Sequence, residues 1–195
     1  MATDPGTDWQ SLTPFECLAG DPKAWQEAAH DLVGSANIIL DALRYGEERD
    51  GPTDSGGRAF WRTPLMLYGL AAENLIKAII VAGKPALDRS FPLSEGSFPG
   101  WFKKHDLPEL AKRAGLWLSH SQKHLLGRLR VFVECGRYPV GLREGQDRST
   151  RVFFGGLDWN DVFQLLEYLE EELQRASGGC VQAHRNLRGI HSVHP

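Results

Sequence analysis

The chain has 195 residues, 42% of them hydrophobic, and a formal charge of −3 at pH 7. That is ordinary globular composition, with no internal repeat or low-complexity tract, long enough for one well-buried domain and demanding no second. The opening Met-Ala-Thr-Asp-Pro-Gly-Thr-Asp has neither the basic start nor the apolar stretch of a secretory signal, so the expected compartment is the cytoplasm. Cys17, Cys135 and Cys180 are odd in number, far apart and without a CxxC spacing, which reads as unpaired thiols in a reducing setting.

Charge is unevenly spread. Between Trp101 and Arg151 there are eleven Lys and Arg against five Asp and Glu, a local +6 that leaves −9 for the rest. A basic middle in an acidic chain points to an anionic partner such as RNA, or to basic and acidic helices facing each other.

In chain order, residues 1–20 read as an arm with scattered Pro, Gly and aromatics. Asp21-Pro22 is a helix start, cap then first turn, and Trp25, Ala29, Leu32, Val33, Ala36, Ile39, Leu40 and Leu43 repeat at helical spacing to about Arg44. The polar, Gly-rich run from Tyr45 to Phe60 reads as a loop. Next comes the most apolar segment, from Thr63 to Ala82, with Thr63 as the expected N-cap, Pro64 in the first turn, and Gly83 and Pro85 as the stop. It is apolar nearly all round, which predicts a buried central helix. Glu73, Asn74 and Lys77 near its middle argue against a membrane span. Glu73 and Lys77, four apart with the acid first, read as a local ion pair at the bundle edge or a subunit seam.

Residues 83–104 form a long loop held by Phe91, Phe98, Trp101 and Phe102. Asp106 caps a short helix that ends before Gly115, and Ser119 or Ser121 caps the next, whose buried stripe is Leu125, Leu126, Leu129, Phe132 and Val133. Lys123, Arg130 and Arg137 fall one heptad apart on the opposing face, as RNA or anion contacts would. Gly136 and Pro139 stop that helix. Residues 140–157 read as loop, with a short extended piece at 151–154. Asp158 then caps a last helix with Val162, Leu165, Leu166, Leu169 and Leu173 inward and Glu167, Glu170, Glu171 and Glu172 largely outward. Ser177-Gly178-Gly179 ends it, and residues 177–195 read as a flexible tail. The expectation is an all-α bundle of about five helices over residues 21–176.

The order of a helix, a buried helix with Ala-Glu-Asn-Leu-Ile-Lys-Ala, a loop, His105-Asp106-Leu107 and Arg137-Tyr138-Pro139 at a helix end resembles the HEPN (higher eukaryotes and prokaryotes nucleotide-binding) superfamily over roughly residues 22–176. The resemblance implies a helical bundle, often a homodimer. In many members it is a metal-independent endoribonuclease, and in others a non-catalytic binding or toxin–antitoxin module. Catalytic members carry an Arg followed after four to six residues by His. Arg185-Asn186-Leu187-Arg188-Gly189-Ile190-His191 fits, making Arg185 and His191 the candidate catalytic pair: His moves the 2′-hydroxyl proton and Arg stabilises the phosphorane. The match lies beyond Gly178-Gly179, however, whereas the family carries it in the last packed helix. Arg113 to His120 meets the outer spacing limit across a Gly115 break.

His184, His191 and His194 match no standard metal spacing, so neither metal nor cofactor is expected. His105-Asp106 could be a base and its orienting acid, but capping explains the pair better. The sequence therefore supports an RNA-directed protein of the defence or toxin type, binding RNA through residues 101–151 and cleaving it if Arg185 and His191 act. The alternative is a non-catalytic scaffold module working through a protein partner. A homodimer without a membrane role is expected either way.

Overall fold

The computed structural model describes residues 14–50, 61–83, 98–135 and 159–179. Six helices occupy them: α1 (Pro14–Ala19), α2 (Pro22–Asp50), α3 (Arg62–Ala82), α4 (Leu107–Arg113), α5 (His120–Cys135) and α6 (Trp159–Ala176), with no strand among the described residues. The all-α expectation holds, with α1 added where an arm was expected. Arg137, residues 140–157, read as a loop with a short extended piece, Asp158, Phe91, the tail histidines and the Arg185–His191 motif lie outside the described residues.

The central helix is α3. It packs against α2, α4, α5 and α6, most extensively against α2. Leu65, Tyr68, Ala72, Leu75, Ile76 and Ile79 on one side and Ala71, Ala78 and Ile80 on the other are all buried. By length and composition α3 could cross a membrane, but 67% of its apolar window is buried inside the bundle, as in a core helix. Tyr68 is fully buried and donates to Asn37 of α2. Burial pushes its phenol well above the usual tyrosine range.

Two element boundaries differ from expectation. α3 starts at Arg62, with Trp61 in the cap position and no side-chain cap bond, so Thr63 is not the N-cap. Packing replaces the cap: the Trp61 ring lies 5.5 Å from Trp159. Pro64, in the first turn, still forfeits nothing, because the first four N–H groups of a helix have no internal acceptor. α2 continues to Asp50 rather than stopping near Arg44. One glycine, Gly46, does not halt a long helix followed by Glu-Glu-Arg.

The α4–α5 hairpin follows its local signals. Asp106 Oδ1 accepts from the Glu109 amide at 3.3 Å. Ser119, not Ser121, caps α5: its Oγ accepts from the Gln122 amide at 3.2 Å while Gln122 Oε1 accepts from the Ser119 amide at 2.9 Å, a reciprocal capping box. Between the helices Gly115 takes a φ of 71°, the left-handed conformation that the tight turn requires. α6 ends at the expected glycines, where the Gly179 amide donates back to the Gln174 carbonyl at 3.0 Å.

α3 and α5 touch closely at Gly69. A Cβ there would stand 2.6 Å from Val133 Cγ2 and 3.2 Å from the Leu129 carbonyl oxygen, whereas one at Gly127 of α5 would meet nothing within 4 Å. The two substitutions should therefore act in opposite directions. Gly127→Ala gains about 0.5–1 kcal/mol of helix propensity, while Gly69→Ala loses about 1–3 kcal/mol to overpacking, enough to outweigh that gain. Urea midpoints of the two variants check the contrast, and a stabilising Gly69→Ala would refute the tight crossing.

Candidate functional site

The Glu73–Lys77 pair is not at the bundle edge. Glu73 is 2% exposed and Lys77 7%, among apolar neighbours on α3. Lys77 Nζ lies 2.6 Å from Glu73 Oε1, and a third partner comes from the loop before α4: His105 Nδ1, 2.8 Å from Glu73 Oε2. Both carboxylate oxygens are thus engaged. The ammonium is roofed by aromatic faces, 5.0 Å from the Phe102 ring centre and 5.4 Å from that of Trp25, a partly desolvated cation–π arrangement. Phe98 stacks on Phe102 at 4.9 Å, and Trp101 meets Phe102 edge-on at 5.6 Å. The aromatics of the loop close this ion centre.

A second buried carboxylate joins α2 to α6. Glu170, expected to face outward, is 1% exposed and accepts from Gln26 Nε2 at 2.6 Å, with His30 Nε2 at 2.7 Å. It lies one helical turn from both Leu166 and Leu173, so the inward stripe of α6 is broader than its leucines alone indicate.

The basic face is less open than the heptad spacing implies. Arg130 Nη1 sits 3.0 Å from Asp106 Oδ2 and its Nε 2.8 Å from Glu134 Oε1. The hydrogen bond that Arg130 Nε donates to Glu134 is the main reason its guanidinium is held above the usual arginine range. Arg130 therefore ties α4 to α5 while its charge is answered locally. Arg113 is paired with Glu109 at 2.8 Å and lies over the Trp101 ring at 4.6 Å. Lys112 and Lys123 differ: both are exposed, and neither has an ion-pair partner among the described residues.

Those two lysines rim a groove of about 640 Å³ between α4 and α5, lined otherwise by Pro108, Ala111, Gly115, Leu116, Trp117, Leu118 and Leu126. Trp117 is 93% exposed, unusual for so large an apolar side chain. Its backbone is nevertheless anchored, since its carbonyl accepts from the Tyr168 hydroxyl of α6 at 2.9 Å. The result is an apolar trough of ligand size with a free indole and two open cations.

Of the residues singled out in the sequence, the structure brings Glu73 and Lys77 together, puts Lys123 on the groove and places Arg130 in ion pairs. Three participants carried no local sign of their partners. His105 meets Glu73 across 32 residues, and Gln26 and His30 meet Glu170 across 144 and 140. Trp117 did carry one: a lone aromatic in a short Gly-to-Ser connection inside the basic segment. Comparison of the chain with protein-family models, with characterised proteins and with solved structures gave no match.

Proposed function

We propose that this chain is a HEPN-like helical module that binds single-stranded RNA in the groove of its α4–α5 hairpin. The observation that carries the reading is the exposed indole of Trp117 over an apolar floor rimmed by Lys112 and Lys123, neither of which has an ion-pair partner among the described residues. Bases stack on aromatic faces whatever their identity, and lysines answer the backbone phosphates, the usual pairing in single-strand binders. Among the described residues of the basic segment, Lys112 and Lys123 line the groove, and Lys103 and Lys104 are exposed before α4.

Fluorescence anisotropy of a labelled single-stranded RNA of about ten nucleotides tests this, with the length chosen to exceed one stacking site. Trp117→Ala should weaken binding by about 1–3 kcal/mol, a factor of about 5–150. Each of Lys112→Ala and Lys123→Ala should make the slope of log K against log salt shallower by about 0.7. Absence of binding at low salt, or a Trp117→Ala protein that binds like the wild type, refutes the reading.

A second reading, a scaffold acting through a protein partner or a second copy, is favoured by Ile38 and Tyr45. They are 72% and 67% exposed and seven residues apart on one face of α2. It gains if the chain binds no RNA and Ile38→Glu alters its oligomeric state.

A further inference from the structure

Trp117 is exposed because the chain on both sides of it is held. α4 closes in a Schellman motif: the Gly115 amide donates to the Lys112 carbonyl and the Leu116 amide to the Ala111 carbonyl, both at 3.1 Å, with Gly115 in the left-handed conformation. α5 opens with the reciprocal Ser119–Gln122 capping box, so only Trp117 and Leu118 lie between two locally closed helix ends. Leu116 and Leu118 are packed against the core, and turning the indole inward would unseat one of them.

The third tie comes from outside the hairpin. Tyr168 of α6, 51 residues on, donates its hydroxyl proton to the Trp117 carbonyl at 2.9 Å. Burial, and after it the Glu172 carboxylate one turn along α6, hold that hydroxyl above the usual tyrosine range, so it keeps the proton that it donates. The Tyr168 ring is itself packed against the core, and its helix is anchored by the fully buried Leu165, Leu166, Leu169 and Leu173. The bond therefore fixes the peptide that carries Trp117 to the bundle, not to another surface segment. Tyr168 does not line the groove. Its one proton is already given to Trp117, so its part is to place the indole, not to read the ligand.

Placement bears on affinity. A base that stacks on a mobile side chain must first order it, and such ordering is a large part of what association costs; a held indole has that cost met by the fold.

We propose, on the RNA-binding reading above, that Tyr168 is a positioning residue of the groove, holding Trp117 as a ready-made stacking face for the bases of single-stranded RNA. The platform is built before RNA arrives, and a residue of α6 outside the groove sets part of its affinity.

The test compares wild type, Tyr168→Phe, Trp117→Ala and the double variant by anisotropy with the labelled RNA across a salt series. Phenylalanine keeps the ring and removes only the hydroxyl. Tyr168→Phe should weaken binding about 2- to 12-fold, the range that one neutral hydrogen bond spans. The slope of log K against log salt should stay as in wild type, since no phosphate contact is lost. In the Trp117→Ala background the same substitution should change affinity by less than about twofold, because the group that it places is gone. Hydrogen exchange on the free proteins gives a readout without RNA: in Tyr168→Phe the peptide covering residues 114–119 should exchange faster by about the same factor, with α3 peptides as in wild type. Tyr168→Phe that binds like wild type overturns the proposal. So does one that loses as much affinity without Trp117 as with it, which would make Tyr168 an RNA contact or a general brace, and so does unchanged exchange over 114–119. Those results leave the groove reading standing where wild type binds RNA and Trp117→Ala binds it more weakly; wild type that does not bind removes both.

Discussion

Replacing Lys77 with methionine should destabilise the bundle by about 3–5 kcal/mol, because it strands a carboxylate in the core. Glu73 is 2% exposed, and without the ammonium at 2.6 Å its remaining partner is His105, itself one-third open to water. Methionine keeps the length and volume of the side chain, so the loss isolates charge rather than packing. The double variant Glu73→Leu with Lys77→Met should behave differently. With both charges gone the desolvation cost disappears, and it should match wild type or exceed it by about 1–4 kcal/mol. Urea unfolding of the two proteins makes the comparison. A single variant that loses less than about 1 kcal/mol would mean that water reaches the pair, as it does in surface ion pairs. If the double variant is the more stable, the pair costs the bundle stability rather than supplying it.

The second large effect is expected at Phe102. It is 1% exposed, stacks on Phe98, meets Trp25 and Trp101 edge-on, and covers the Lys77 ammonium at 5.0 Å. Truncation to alanine should cost about 3–5 kcal/mol, as for other buried aromatics. Part of that cost belongs to the ion centre. In a double-mutant cycle with Lys77→Met the two losses should fail to add by at least about 0.5 kcal/mol, since each removes one side of the same cation–π contact. Losses additive to within about 0.3 kcal/mol would show Phe102 to be packing alone.

Much of the architecture was legible because it is local. The circumferential hydrophobicity of residues 63–82 names the central helix, and caps such as Asp106 and Ser119 act over three residues, within reach of a sequence pattern. Where tertiary contacts replace local chemistry, that legibility ended. Trp61 precedes α3 with its ring packed against Trp159, nearly a hundred residues away, and Thr63 is not the cap. Glu170 sits among four glutamates that look alike in sequence, and only Gln26 and His30 of α2 make it an inward residue. The candidate site divides in the same way. Glu73 and Lys77 announce themselves at a spacing of four, whereas their burial and the approach of His105 depend on how the 98–106 loop folds over them. Lys123 and Arg130 look equivalent one heptad apart, and Asp106 decides which of them stays an open cation.

Ultraviolet cross-linking of the wild-type chain to single-stranded RNA at moderate salt, followed by mass-spectrometric mapping of the adducts, tests the central claim most directly. The groove predicts adducts on the peptide that runs from Lys112 to Lys123, with Trp117 as the principal site and loss of most cross-linking in Trp117→Ala. Adducts confined to other parts of the chain, with the 112–123 peptide recovered unmodified, would contradict it.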